Sequence, residues 1–128
     1  MAKQIIHTDS APAAVGPYSQ AVAIGSGKTV YLSGQIGLEP GTGELVSENF
    51  EGQVRQSFAN MQEVIEAAGG TLEHIVKLTL FLTDLSKFAS ANAIMADIIP
   101  QPFPARSTIG VASLPKGAQF EVEAIIVI

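Results

Sequence analysis

Two arginines stand among the 128 residues, and one of them is placed where a charge is costly. Arg106 follows Pro104-Ala105 and opens the apolar run Ser107-Thr108-Ile109-Gly110-Val111. A guanidinium in such surroundings must meet an anion, because an unpaired buried charge is expensive. Its planar fork suits a ligand carboxylate held by two hydrogen bonds. A salt bridge to Glu121 or Glu123 on the following segment would satisfy it as well, and spacing leaves both readings open. Glu123 shares a strand face with Ile125 and Val127. A carboxylate there stands between partial desolvation and a neighbouring cation, a balance that suits a proton-transfer group. The plainer alternative puts Glu121 and Glu123 at a wet strand end. Tyr18 sits in Gly16-Pro17-Tyr18-Ser19-Gln20, where a stiff loop becomes a strand. Its hydroxyl can orient a ligand, although ring packing is the commoner use. Asn92, among the small residues Ser90-Ala91-Asn92-Ala93, can bond a loop backbone or a ligand, or simply occupy a polar helix face. Arg55, between Gln53 and Gln56, reads as solvated.

Other chemistries are excluded by what is missing. There is no cysteine, which removes disulfides, thiolate zinc sites and thiol nucleophiles. The histidines, His7 and His74, are far apart and form no metal-binding pair, so no metal site is expected. The Gly25-Ser26-Gly27-Lys28 segment lacks the upstream glycine of a phosphate-binding loop, and no nucleophile elbow is present. The net charge is −5 and the lysines are scattered, which argues against nucleic acid as a partner. No apolar run approaches the length of a membrane span, and Met1–Ser10 has no apolar core of a signal peptide. The cytoplasm is the expected compartment and no membrane contact is expected.

The elements that must carry these residues are legible from pattern. The length is that of a single domain spanning 1–128. Strand-like runs cover Lys3–His7, Ser19–Ile24 and Thr29–Ser33, the last two flanking Gly25–Lys28 as a hairpin. A loop follows from Gly34 to Val46. Phe50, Val54, Phe58, Met61, Val64, Ile65 and Ala68 repeat at three and four, predicting a helix over Glu48–Ala68, capped by Ser47 and ended by Gly69-Gly70. His74–Leu82 reads as a strand. Asp84 caps a second helix over Leu85–Ile98, and the prolines from Pro100 to Pro104 stop it. Arg106–Ala112 and Gln119–Ile128 are the last strands.

The order is β-β-β-α-β-α-β-β, an α+β two-layer domain with two helices on one face of a mixed sheet. Along the final strand Phe120, Val122, Ala124, Ile126 and Ile128 point one way and Glu121, Glu123, Ile125 and Val127 the other. Val76, Leu78, Leu80 and Leu82 similarly oppose Ile75, Lys77, Thr79 and Phe81. Both faces are largely apolar, and only 15% of residues are charged. The face without helices is therefore expected to pack against other copies of the chain.

Taken together, these residues resemble the RidA (YjgF-type) family of reactive-intermediate deaminases. The matching segments are Ala11–Gln20 (APAAVGPYSQ), Tyr31–Ile36 (YLSGQI), Pro102–Thr108 (PFPARST), and Leu114-Pro115 followed by Glu121–Ala124 (EVEA). The resemblance covers essentially the whole chain. It implies a chorismate-mutase-like homotrimer whose sheets join in a central barrel, with sites in clefts between subunits. It implies hydrolysis of 2-imino acids such as 2-iminobutanoate and 2-iminopropanoate to 2-keto acids and ammonia, protecting pyridoxal-phosphate enzymes, with no cofactor and no metal. By the same resemblance Arg106 holds the substrate carboxylate and Glu123 orients or activates the attacking water. Tyr18 lines the pocket, Asn92 lies near it, and Gly34 and Thr108 contribute mainly backbone contacts. Many members carry cysteine where this chain has Thr108, and an aromatic where it has Met95. A non-catalytic module of the same fold that binds a small carboxylate is the alternative. RNA cleavage, a third class ascribed to relatives, is disfavoured by the net charge of −5.

Overall fold

The alternating final strand becomes the middle of the sheet. In the computed structural model, which describes residues 3–128, β6 (Phe120–Val127) buries Phe120, Val122, Ala124 and Ile126. It lies antiparallel between β3 (Thr29–Ile36) and β4 (Ile75–Leu82). β5 (Ala105–Gly110) adds parallel to β4, giving the order β3-β6-β4-β5. A parallel neighbour requires a crossover, and α2 (Phe88–Ile98) supplies it. α1 (Phe50–Ala67) lies on the same face. Its stripe of Val54, Phe58, Met61 and Ile65 is fully buried against Leu78, Leu80 and Leu82, with Ala91, Ile94 and Met95 of α2 completing the core. The Phe58 and Phe50 rings meet Phe120 at centroid distances of 5.7 and 6.3 Å. The expected two-layer α+β architecture and the element order are thus present.

Four local readings are corrected. Gly25–Lys28 does not close a hairpin. β2 (Ala21–Ile24) pairs with β1 (Lys3–Ile6) as a separate two-stranded ribbon, while β3 belongs to the main sheet. The reason lies at the chain's end: Lys28 and Ile128 exchange backbone hydrogen bonds of 2.7 and 2.8 Å, which commit β3 to β6. β3 also runs past Ser33 to Ile36, through a bulge between Leu32 and Gln35 that a strict alternation does not anticipate. A second bulge between Ile75 and Lys77 places Ile75, rather than Val76, on the core face with Leu78. The cap of α1 is Asn49, whose side chain accepts from Gly52 N at 2.8 Å; Ser47 caps the preceding turn by accepting from Asn49 N. Gly69, at φ +92°, ends the helix as expected. Asp84 caps a tight turn, Leu85–Lys87, that leads into α2.

Register assigns each candidate residue to a face, since directly paired residues project the same way. Arg106 pairs with Leu78, and Leu78 with Ala124, so Arg106 points to the helix side; Thr108, level with Leu80, does too. Thr79 pairs with both Ser107 and Glu123, which puts Glu123 on the opposite face. That face also carries Tyr31, Lys77, Phe81, Ile109, Glu121 and Ile125. Tyr31 is 77% exposed there.

Because Phe120 is enclosed by two rings and both helices depend on its face, Phe120→Ala is expected to cost about 3–5 kcal/mol. Urea unfolding should show a lowered midpoint, whereas Tyr31→Ala should leave the stability of a single protomer nearly unchanged.

Candidate active site

The loop before β2 is shaped by its own side chains. The Gln20 amide donates to Pro12 O and Thr8 O at 2.7 and 3.1 Å, and its Oε1 accepts from Thr8 N at 2.7 Å. Ser19 fastens the end of the loop to the edge of β5: its N donates to Pro104 O at 2.9 Å and its hydroxyl to Phe103 O at 2.5 Å. Gly16 adopts φ +119°, and a Cβ there would lie 3.2 Å from Asn92 Nδ2. A bulkier residue would be strained and would crowd the asparagine. Tyr18 is thereby set against Arg106, with the guanidinium 4.8 Å from the ring centre.

Arg106 reaches from β5 toward α2. Its Nη1 donates to Asn92 Oδ1 at 2.5 Å and lies 3.6 Å from Met95 Sδ. Phe88 offers a second ring at 5.2 Å. Every one of these partners is neutral. Among the described residues no carboxylate lies within salt-bridge distance of Arg106. The salt bridge to Glu121 or Glu123 is not formed, because β4 separates β5 from β6. Burial pushes the arginine's pKa down, and Tyr18 opposes the shift in part. With an ordinary value so high, the group stays charged. Val15, Tyr18, Phe88, Arg106 and Thr108 line a cavity of about 370 Å³ that opens to solvent. A larger groove of about 550 Å³, between the 38–43 loop and α1, holds Glu39 and Glu63 but no cation, so it is a poor seat for an anion.

The sequence-predicted residues thus fall into two groups. Arg106, Tyr18, Asn92 and Thr108 come together on the helix side. Glu123 and Gly34 lie apart from them, on and beside the bare face. Gly34 sits in the β3 bulge, and a Cβ built on it would overlap the Glu121 carboxylate. Glu121 is the residue that sequence reasoning undervalued. Its carboxyl is half-buried, and burial first, then the nearby Glu123 charge, raises its pKa above the usual carboxylate range. The two-residue spacing of Glu121 and Glu123 was the available signal, since it puts both on one face. Val15 and Phe88 were likewise not singled out as lining residues. Arg55 is exposed as expected, at the 4.0 Å limit of contact with Asp97. No group of three or more metal-binding side chains is found among the described residues.

The family model described as Endoribonuclease L-PSP matches residues 8–128. A mite protein from Dermatophagoides farinae named 2-iminobutanoate/2-iminopropanoate deaminase is 47% identical over 98% of this chain and 97% of its own. The human protein of the same name is 42% identical over 96% of this chain and 88% of its own. The crystal structure of RidA from an Antarctic Psychrobacter superposes with a TM-score of 0.77 at 50% identity, covering 98% of this chain and 99% of that one. The YjgF gene product of Escherichia coli gives 0.71 at 44% identity, covering 97% and 98%.

The raised Glu121 pKa has a consequence for stability. A carboxyl that binds its proton more tightly when folded is destabilising while ionised, and the cost disappears as pH falls through the raised value. Glu121→Gln should therefore raise the melting temperature at neutral pH, with the gain shrinking toward acid. Thermal melts from about pH 7 to about pH 4 check this, and a gain independent of pH would contradict it.

Proposed function

Since the chain belongs to the Endoribonuclease L-PSP family, together with the RidA proteins and imine deaminases it resembles, we propose that it hydrolyses 2-iminopropanoate and 2-iminobutanoate to the 2-keto acids and ammonia. The observation that carries this reading is Arg106: a half-buried cation at an open cavity, bound only to neutral groups and so available to one carboxylate. Small 2-imino acids present that carboxylate beside an electrophilic carbon. The names of relatives at 41–47% identity support the same activity. No helix among the described residues is long and apolar enough to cross a membrane.

Arg106 would bind the carboxylate bidentately and hold C2 at the cavity mouth, with Asn92 and Tyr18 fixing the guanidinium. A water held by a carboxylate adds to the iminium carbon and gives up a proton. The resulting carbinolamine carries hydroxyl and amine on one carbon. The carboxyl returns that proton to nitrogen, the C–N bond breaks and ammonia leaves, and the hydroxyl gives its own proton to the carboxylate as it becomes the keto oxygen. The iminium is already electrophilic, so orientation and proton transfer suffice and the reaction calls for no cofactor. General acid–base help of this kind is worth about 10²–10⁴-fold.

The carboxylate must come from another copy. Within one chain the sheet stands between Arg106 and the glutamates. We therefore take the site to lie between protomers of a homotrimer, the bare face of one copy offering its glutamates to the Arg106 cavity of the next. Glu121 shares the role that the resemblance gives to Glu123, because its raised pKa suits proton transfer. Gly34 leaves room for that carboxyl.

The test is competition for the imine. 2-Iminopropanoate is generated by an amino-acid oxidase and trapped with semicarbazide. The wild-type protein should lower the semicarbazone yield and Arg106→Ala should not; equal yields would end the reading. Glu121→Gln and Glu123→Gln should slow turnover by about 10²-fold or more while pyruvate still binds. Pyruvate binding without turnover in the wild type would leave a non-catalytic carboxylate-binding module.

A further inference from the structure

A guanidinium offers N–H donors along two edges, and the fold engages one end of Arg106 completely. Nη1 donates to Asn92 Oδ1 at 2.5 Å and to Met95 Sδ at 3.6 Å, which accounts for both of its hydrogens. Among the described residues Nε and Nη2 have no hydrogen-bond partner. Phe88, Asn92 and Met95 follow one another on α2 at spacings of four and three, so one helix face presents all three to the guanidinium. Their settings differ. Phe88 lines the cavity, whereas Met95 is fully buried and meets Arg106 from the core side. Nη2 lies toward the Gly16 turn, where a Cβ would come within 3.9 Å of it, and the adjoining Val15 is a cavity wall. The closed end of the fork therefore points into the protein and its open edge toward the cavity.

We propose that Met95 is a positioning residue: its thioether takes the second Nη1 hydrogen and so fixes the Nε–Nη2 edge of Arg106 as the one that grips a ligand carboxylate. The proposal rests on the reading of Arg106 as a carboxylate holder, and adds which edge does the holding and what selects it. A carboxylate needs two parallel N–H groups, and either edge of the fork that includes Nη2 supplies them. A free Nη1 hydrogen would let the Nη1–Nη2 edge compete, and C2 would then be held in a second place. Sulfur is a weak acceptor, so it directs the guanidinium without cancelling its charge. Leucine would fill similar space but leave a buried N–H without an acceptor. The consequence for rate is large, since a reacting atom misplaced by about 1 Å can lose about 10²-fold.

With Arg55 and Arg106 the only arginines, isotope-labelled protein gives two Nε–Hε signals by NMR, told apart with Arg55→Lys. Saturating pyruvate should move the Arg106 Hε signal downfield and leave that of Arg55 in place. In Met95→Leu the same shift should shrink, and pyruvate affinity by calorimetry should fall roughly three- to tenfold, the span of one modest hydrogen bond. In the semicarbazide assay its kcat should fall as well as its KM rise, the mark of a displaced C2 rather than of a lost contact alone. A wild-type Arg106 Hε signal that stays put while calorimetry shows pyruvate bound overturns the proposal, and this measurement needs no variant to fold. So does a Met95→Leu protein with the wild-type shift and affinity, whatever its melting temperature, since Met95 would then be packing alone. A wild type that binds no pyruvate removes the carboxylate site and the proposal with it. A wild type whose Hε signal moves but which deaminates nothing defeats the deaminase reading and leaves Met95 to be judged by the shift and the affinities.

Discussion

A half-buried guanidinium held entirely by neutral groups is the constraint around which the structure is arranged. Arg106 donates to an amide oxygen, approaches a thioether and lies near two aromatic rings. These contacts fix its direction without cancelling its charge. An aspartate in place of Asn92 would fix it as well, but would neutralise the site and remove the reason for an anion to bind. A neutral partner is what the proposed role of Arg106, holding a carboxylate, requires. It also explains the loop at Thr8–Gln20, whose internal bonds deliver Tyr18 and Gly16 to the guanidinium's side.

The second constraint is the sheet itself. A strand sends alternate side chains to opposite faces, so a cation paired in register with core residues cannot share a cavity with glutamates one residue out of phase. Leu78 ties Arg106 to the helix side, and Thr79 ties Glu123 to the other. No side-chain rotation overcomes that. A chemistry that needs both groups requires two chains, and in the proposed assembly the exposed Tyr31 and its apolar neighbours would lie at the contact that brings them together.

The sequence was most legible where periodicity was regular. The stripe of α1 and the alternation of β6 predicted the layers, the element order and the two faces. It was least legible where one residue breaks a period. The bulge at Ile75–Lys77 exchanges the roles of Ile75 and Val76, and the bulge after Leu32 lengthens β3 into what reads as loop. Pairing partners are also invisible to local pattern: Gly25–Lys28 looks like a hairpin until Ile128 is found beside Lys28. At the site, Arg106, Tyr18 and Asn92 were legible by type and come together. Glu121 was read only as a salt-bridge partner or a wet strand end, because neither its overlap with the bulge at Gly34 nor its desolvation can be read from spacing.

These points bear on why assembly and chemistry would be linked here. The bare face mixes Tyr31, Phe81, Ile109 and Ile125 with Lys77, Glu121 and Glu123. A face built only for association would exclude the carboxylates, since desolvating them weakens the contact. Two carboxylates two residues apart, with the pKa of Glu121 raised first by burial and then by the charge of Glu123, are destabilising to the free chain. In the proposed assembly, a cation arriving from a neighbouring protomer would relieve that repulsion, and a substrate carboxylate between them would restore the balance of charge. On the proposed reading, the same electrostatics that make the isolated face unfavourable would favour a seam that holds a small anion near Arg106 and lends it a proton acceptor.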